Sequence, residues 1–273
     1  MPGMDPSADP RPTTVDRRRL LFGVLPAAAL LATGCAQSNA KSKAKSNVNE
    51  RSDRPRLALI YNGPQGCPAC GPTVAALLRR APQPYRVKYV GAKGSLTAAD
   101  LADAQLYVQP GGGADLEGTW RHLSGSAGVM RDWVRKGGSY LGLCFGAYLA
   151  GRNPGFDLLP GDTNGYVGSP GATVPDDRDT VVAVNWQGKP RHMYFQDGPA
   201  FFLDAGADAT VLATYPNGTA AVVIAPYGKG RVGVSGPHPE ADDSWYAEKG
   251  LSNPDGVRFD LAYELIEATA GRR

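Results

Sequence analysis

Residues 137–151 read Gly-Gly-Ser-Tyr-Leu-Gly-Leu-Cys-Phe-Gly-Ala-Tyr-Leu-Ala-Gly, a short apolar run that leads into a cysteine between two glycines. This pattern predicts a strand, a tight turn at Cys144 and a helix, the arrangement called a nucleophile elbow. Gly142 and Gly146 leave the space that such a turn needs on either side of the reactive residue. A thiol at a helix N-terminus is favoured as the thiolate. The stretch therefore predicts a reactive cysteine; the alternative at this point is a buried structural cysteine at the end of a glycine-rich strand.

Charge is unevenly distributed along the 273 residues. Residues 1–54 carry nine Lys and Arg against five Asp and Glu, whereas residues 55–273 carry 20 against 21. The formal net charge of +3 therefore comes from the N-terminal segment. Nucleic-acid binding needs clustered positive charge, which a nearly neutral body lacks. We therefore expect no nucleic-acid partner.

The N-terminal segment has the features of an export signal. Three arginines at residues 17–19 precede an apolar run that ends near Ala32, and this run is shorter than the roughly 20 residues of a membrane-spanning helix. The pattern predicts a signal peptide of the twin-arginine type over residues 1–34. Residues 31–35, Leu-Ala-Thr-Gly-Cys, resemble the lipobox of bacterial lipoproteins. The resemblance implies a lipid on Cys35, with the protein anchored to the outer face of a bacterial membrane; a secreted form without lipid is the alternative.

The rest of the chain is predicted to be a tether followed by one folded domain. Residues 35–54 contain almost no apolar side chains, so we expect a disordered tether there and a domain over residues 55–270. Strands and helices alternate in the first half of that domain, as in a parallel α/β sheet, and turns predict that the last three strands pair antiparallel. The predicted strands cover residues 56–61, 85–90, 104–108, the elbow strand, 181–186, 191–195, 210–215, 220–225 and 231–235. The predicted helices cover residues 73–80 (with Thr73 available as a cap), 96–101, 127–136 and 254–270. Residues 153–179 are predicted to form a long loop or a small excursion from the sheet.

Cys67 and Cys70 form a Cys-x-x-Cys motif between the first strand and the first helix. In an exported protein this spacing favours a local structural disulfide. A redox-active pair is an alternative, because a strand, this motif and a helix are also the context of thioredoxin-like sites. A further alternative is a mixed disulfide between one of these two cysteines and Cys144. A tetrahedral metal site would need two more ligands of this kind, so we predict no metal.

Two later segments supply candidate partners for Cys144. The glycine run at residues 111–113 follows a predicted strand, and backbone N–H groups of such a loop can hold an anion. The last predicted strand ends in His238-Pro239-Glu240. Loops at the ends of strands in an α/β sheet can converge on one crevice. We therefore predict His238 as the base that activates Cys144 and Glu240 as the residue that orients the imidazole.

The remaining assignments follow from the same chemistry. The N–H group of Phe145, with that of Gly112 or Gly113, is predicted to form an oxyanion hole. His122, in a predicted loop, and His192, in a β segment, are expected to be structural or exposed. We predict no cofactor.

These motifs resemble the class I glutamine amidotransferase superfamily. Residues 107–113, 138–148 and 235–240 are similar to the amidotransferase-like domain found at the N-terminus of fungal biotin–protein ligases and, alone, in bacterial proteins. The resemblance covers about residues 56–268. It implies a flavodoxin-like three-layer αβα sandwich, with a mostly parallel central sheet and an antiparallel C-terminal portion. By position it also implies a catalytic triad of Cys144, His238 and Glu240.

No stretch resembles the catalytic or biotin-binding part of a biotin ligase, so we expect no ligase activity. The first functional hypothesis is a membrane-tethered, cysteine-dependent hydrolase of an amide or ester, with a small molecule or peptide bound near Cys144. The second is a non-catalytic binding module on the same fold. The third is thiol–disulfide chemistry at Cys67 and Cys70.

Overall fold

A computed structural model describes residues 55–113 and 115–271 of the chain. The predicted signal peptide over residues 1–34, the predicted lipidation site Cys35 and the predicted tether over residues 35–54 lie outside these described residues. Among the described residues no helix has the length and apolar character needed to cross a membrane.

One 11-stranded sheet runs through the described domain. Its first half is parallel, with the order β2-β1-β3-β4-β11. Strands β3 and β4 are buried along their whole length, as expected for parallel strands that are covered on both faces. The parallel strands are β1 (Leu57–Tyr61), β2 (Arg86–Val90), β3 (Leu106–Gln109), β4 (Ser139–Leu143) and β11 (Gly230–Ser235).

The second half of the sheet is antiparallel and continues from β11 in the order β10-β9-β6-β7, while β5 and β8 pair with each other beside β10. The prediction that the last three strands pair antiparallel is confirmed. These strands are β5 (Gly161–Gly165), β6 (Thr180–Trp186), β7 (Lys189–Phe195), β8 (Pro199–Leu203), β9 (Thr210–Thr214) and β10 (Ala220–Tyr227).

Helices cover both faces of the sheet. Alternation along β1 places Ala58 and Ile60 in one apolar cluster and Leu59 and Tyr61 in the other, on opposite faces. Helices α1 and α7 pack on the first cluster and α4 on the second. The predicted α/β three-layer fold is confirmed. The helices are α1 (Cys70–Arg79), α2 (Ala98–Leu101), α3 (Leu116–Leu123), α4 (Ala127–Arg135), α5 (Phe145–Tyr148), α6 (Asp243–Glu248) and α7 (Phe259–Ala270).

Helix α1 begins at Cys70, three residues before the predicted start, so the prediction that Thr73 caps it is wrong. Ala69 occupies the N-cap position without a side-chain hydrogen bond. The Thr73 hydroxyl instead accepts a hydrogen bond from the indole N–H of Trp245, 3.2 Å away. Thr73 therefore joins α1 to the distant helix α6 rather than ending a helix.

The sequence patterns missed two strands and two α-helices, and they placed the start of another helix too early. Residues 153–179 are not one loop, because β5 lies within them and forms by pairing with β8, itself unpredicted. Helices α3 and α6 were not predicted, and His122 lies on α3 rather than in a loop. Helix α7 begins at Phe259, later than predicted. Short elements such as these depend on their tertiary partners more than on local periodicity.

Candidate active site

The candidate site lies at the edge of the sheet where the parallel strands end. Strand β4 leads into Cys144, β3 into the loop with Gly112, and β11 into His238, while the loop after β1 carries Cys67 and Cys70. Open α/β sheets bind ligands at this edge. Side chains or backbone of all five residues line one cavity. The tertiary fold thus brings together residues that are up to 171 positions apart in the chain.

Cys144 occupies a strained turn. Its backbone φ and ψ are 49° and −107°, a conformation that L-residues rarely adopt and that marks nucleophile elbows. The N–H of Cys144 donates to the Ser235 carbonyl at 2.7 Å, which ties the turn to β11. Helix α5, which follows, has only four residues. Its dipole is therefore weaker than that of the longer helix predicted from the sequence. Charge stabilisation at Cys144 must therefore come mainly from a side chain.

The two glycines of the elbow are required by close packing. A Cβ atom at position 142 would lie 2.5 Å from the Gly146 carbonyl oxygen, and one at position 146 would lie 1.9 Å from that of Gln109. Neither backbone group can move without displacing a strand or the turn. The predicted reason for both glycines is therefore borne out in the geometry.

His238 and Glu240 form a buried pair. The His238 Nδ1 atom is 2.8 Å from Oε1 of Glu240, and the side chains are 4% and 0% exposed. The second carboxylate oxygen, Oε2, is buried with no hydrogen-bond partner among the described residues. Loss of the imidazole would leave a buried carboxylate with neither oxygen paired, which is destabilising. The backbone N–H of His238 also donates to the Tyr194 carbonyl at 2.8 Å, which fixes the segment after β11.

Burial acts to lower the pKa of His238, but the negative charges of Cys144 and Glu240 outweigh it and hold this pKa well above its usual value. The imidazole is therefore favoured as the cation. An imidazolium at this position could form an ion pair with a thiolate. The Cys144 sulfur also lies 3.2 Å from the Gln196 carbonyl oxygen, an acceptor for the thiol proton in the neutral form.

The predicted oxyanion donors differ in whether their N–H groups already have a hydrogen-bond acceptor. The N–H of Phe145 is in the first turn of α5, where it has no acceptor within the helix. The N–H of Gly113 donates to the Gln65 carbonyl at 2.8 Å, so it is already engaged and the assignment of Gly113 is not supported. This leaves Gly112 as the remaining candidate donor in the glycine loop. Phe145 packs against Gly112, where an added Cβ would lie 2.7 Å from the phenyl ring.

Cys144 lies between two cavities. The first, here called the His238-side cavity, has a volume of about 340 Å³ and is lined by Cys144, His238, Tyr194, Trp245 and the Cys67–Cys70 pair, among others. The second, the Phe145-side cavity, has a volume of about 270 Å³ and is lined by Cys144, Gly112, Phe145, Leu116 and Tyr148, among others. Both have room for part of a substrate whose reacting carbon is at the Cys144 sulfur.

A larger cavity of about 560 Å³ lies between α2 and α4, beside Gln105 and Gly138 at the start of β3 and β4. Its lining contains neither a cysteine nor a histidine. The chemistry-bearing groups are thus at the other edge of the sheet. No cluster of three or more His, Cys, Asp or Glu side chains that could hold a metal ion occurs in residues 55–113 and 115–271.

Cys67 and Cys70 are joined as a disulfide, with Cα atoms 5.3 Å apart, and Cys144 is a free, buried cysteine. The Cys70 N–H donates to the Cys67 sulfur at 3.1 Å. A Cβ placed on Gly111 would lie 3.1 Å from both the Cys70 sulfur and His238 Cε1, so these two atoms are within about 6 Å of each other. The disulfide therefore forms a wall of the site without engaging Cys144.

The other two histidines are outside both cavities around Cys144. His122 is exposed on α3. His192 is on β7, half-buried, with Nδ1 3.2 Å from a carboxylate oxygen of Asp255. The sequence patterns did not identify Tyr194, Gln196 or Trp245, which come from the antiparallel region and from α6.

Comparison with known proteins agrees with this architecture. Residues 57–168 match the family model described as "Biotin-protein ligase, N terminal", a range that contains Gly112 and Cys144 but not His238. The chain is 29% identical over 209 residues to the biotin–protein ligase of Schizosaccharomyces pombe (strain 972 / ATCC 24843), with 67% of this chain and 33% of that protein covered. The chain thus spans about a third of the length of this curated relative.

Solved structures give the same picture of the fold. A glutamine amidotransferase from Thermotoga maritima aligns with a TM-score of 0.55 at 15% identity, over 80% of this chain and 100% of that one. A glutamine amidotransferase from Methylobacillus flagellatus aligns with a TM-score of 0.51 at 13% identity, over 79% and 92%. The described domain therefore has the fold of the class I glutamine amidotransferases, and over residues 57–168 it matches the N-terminal family of biotin–protein ligases.

Proposed function

We propose that this domain is a cysteine-dependent hydrolase that cleaves an amide or ester through a thioester on Cys144. The observation that carries the proposal is the shared cavity of Cys144 and His238, with Glu240 buried behind the imidazole at 2.8 Å. A nucleophile, a base and a group that orients the base are the parts that covalent acyl transfer needs. The strained elbow at Cys144 is an independent reason to expect function there.

In the proposed reaction, the Cys144 thiolate attacks the carbonyl carbon of the substrate. The negative charge that develops on the carbonyl oxygen is stabilised by the N–H groups of Gly112 and Phe145. The bond from carbon to nitrogen or oxygen then breaks, and His238 gives its proton to the leaving atom. A water molecule, deprotonated by His238, next attacks the thioester. The products are the free acid and the amine or alcohol, and Cys144 is regenerated.

The proposal is tested with p-nitrophenyl acetate, an activated ester that needs no particular leaving-group pocket. We expect the full chain to release p-nitrophenol and to carry an acetyl group on Cys144, located by mass spectrometry of proteolytic peptides after rapid acid quenching. The acetyl group should then disappear as the thioester hydrolyses. Acetylation of lysines alone, with Cys144 still free, would favour the binding module instead.

We also propose that the domain is anchored to the outer face of a bacterial membrane through a lipid on Cys35. The lipobox-like sequence at residues 31–35 and the basic, apolar leader before it support this proposal. In a bacterial host grown with radiolabelled palmitate, the chain should become labelled and remain with the membrane fraction. A Cys35→Ser variant should lose the label and leave that fraction. Equal labelling of both forms would contradict the proposal.

A further inference from the structure

We infer that the His238-side cavity holds the amine half of the substrate, so that the substrate is an N-substituted amide rather than a primary carboxamide such as that of glutamine. This inference rests on the proposed function. The inference assigns the part of the substrate on each side of the scissile bond to one of the two cavities. It also makes Trp245 a residue that determines specificity.

The positions of the catalytic groups assign the two halves. Phe145, which supplies one proposed oxyanion donor, lines only the second cavity, His238 lines only the first, and Gly112, the other proposed donor, lines both. The atom that leaves must be within hydrogen-bond reach of His238 to receive its proton. The leaving group therefore extends into the His238-side cavity. The acyl group, on the other side of the carbonyl carbon, extends into the Phe145-side cavity.

The size of the His238-side cavity favours a leaving group larger than ammonia. The cavity has a volume of about 340 Å³, whereas ammonia is about the size of a water molecule, which occupies about 30 Å³ in the liquid. A primary carboxamide would leave nearly all of this space to solvent. An amine with a carbon substituent would displace that solvent and gain binding energy next to the reacting bond.

The walls of the cavity are built to contact a flat or apolar substituent. The ring of Trp245 packs 5.1 Å from the His238 ring, centroid to centroid, and the ring of Tyr194 packs 5.8 Å from it. The indole is held in place by its 3.2 Å hydrogen bond to Thr73 and by an edge contact with Tyr194 at 5.3 Å. The surface that faces the leaving group is thus fixed before substrate binds.

The rim of the same cavity is polar. Lys249 is exposed there and lies 3.3 Å from a carboxylate oxygen of Asp179, whose carboxylate also accepts a hydrogen bond from the Tyr194 hydroxyl. Glu248 is beside them on the rim. Polar groups of a larger amine can therefore stay hydrated or paired at the entrance while its apolar part contacts Trp245.

The test measures how acetyl-Cys144, formed from p-nitrophenyl acetate, partitions between water and added amines. By microscopic reversibility, an amine that binds in the leaving-group cavity can also attack the thioester from there. The quantity measured is the rate constant at which preformed acetyl-Cys144 is lost to the amine. We expect this rate constant to saturate with benzylamine concentration, with N-benzylacetamide as the product, and to rise linearly with methylamine concentration, with N-methylacetamide as the product. A Cys144→Ala variant supplies the blank for aminolysis of the ester in solution. The two amines are compared on the unmodified protein, so this test does not depend on the folding of a cavity variant.

The variant test is Trp245→Ala, which should raise the benzylamine concentration at half-saturation about tenfold, the factor expected for the loss of one aromatic contact surface. Phe202→Ala is the matched control, because Phe202 is an exposed aromatic residue on β8 outside the cavity, and its half-saturation should equal that of the unmodified protein. A linear response to both amines in the unmodified protein would overturn the inference while leaving the acetyl-enzyme intact. Failure to form acetyl-Cys144 at all would overturn the proposed function itself.

Discussion

A His238→Gln substitution is expected to slow the alkylation of Cys144 by iodoacetamide roughly 30-fold at pH 7, because a cysteine without a cationic partner is only about 3% thiolate at that pH. Glutamine can still donate to Oε1 of Glu240, which keeps the buried carboxylate hydrogen-bonded, but it carries no charge. The substitution therefore removes the cation from beside Cys144 while the packing of the site is largely preserved.

The pH dependence gives the same prediction a second readout. The pKa of His238 is raised by Cys144 and Glu240 against the opposing effect of burial, so the imidazolium persists through neutral pH and loses its proton only as the pH rises through the raised value. The alkylation rate of the unmodified protein should therefore change little between pH 6 and 8. In the His238→Gln variant it should rise roughly 75-fold over the same interval, as expected for an ordinary thiol.

His192→Gln is the matched control for this prediction. His192 also pairs with a carboxylate, at 3.2 Å from Asp255, but it lies outside both cavities around Cys144. Its substitution should leave the alkylation rate and pH profile unchanged. The rates are measured by mass spectrometry of the peptide that contains Cys144, so that alkylation elsewhere does not contribute. A pH profile shared by the unmodified protein and His238→Gln would rule out the ion pair.

Local sequence was sufficient to predict two parts of the candidate site, because each part is encoded within a few residues. The elbow at Cys144 is encoded by two glycines, at positions where any side chain would collide with backbone atoms. His238 and Glu240 are only two residues apart, and the turn at residues 239–240 brings their side chains to 2.8 Å. The parallel half of the sheet followed from apolar runs that are buried on both faces. Convergence at one edge then follows from the direction of parallel strands.

The parts that were missed depend on contacts between distant residues. Strand β5 has the sequence Gly-Asp-Thr-Asn-Gly, with no strand-like pattern, and exists because its backbone pairs with β8. The Gly113 N–H is engaged by the carbonyl of Gln65, a residue 48 positions earlier. Trp245 belongs to the site because its indole bonds to Thr73, 172 positions away. Periodicity and motif spacing contain no information about such pairs.

Gly146→Ala is expected to lower the free energy of unfolding by at least about 3 kcal/mol, the upper part of the range for overpacked sites. The added methyl group would lie 1.9 Å from the Gln109 carbonyl oxygen and 2.9 Å from the Gln109 Cβ, at the end of the fully buried strand β3. The carbonyl of Gly146 is also fixed, because it accepts a buried hydrogen bond of 2.7 Å from the Tyr140 hydroxyl. The clash can be relieved only by moving the turn away from β3, which breaks that bond or displaces Cys144.

Gly128→Ala is the matched control for this clash. Gly128 is exposed in the first turn of α4, and an added Cβ there would meet nothing within 4 Å. Replacing it should stabilise the protein by up to about 1 kcal/mol, since alanine is the better helix former. Urea unfolding, with the midpoint and slope compared, measures both variants. Because the Gly146 clash bears on the elbow itself, any Gly146→Ala protein that folds should also alkylate more slowly at Cys144. A Gly146→Ala protein as stable as the unmodified one would show that the elbow can relax, and the strained turn would then not be what positions the nucleophile.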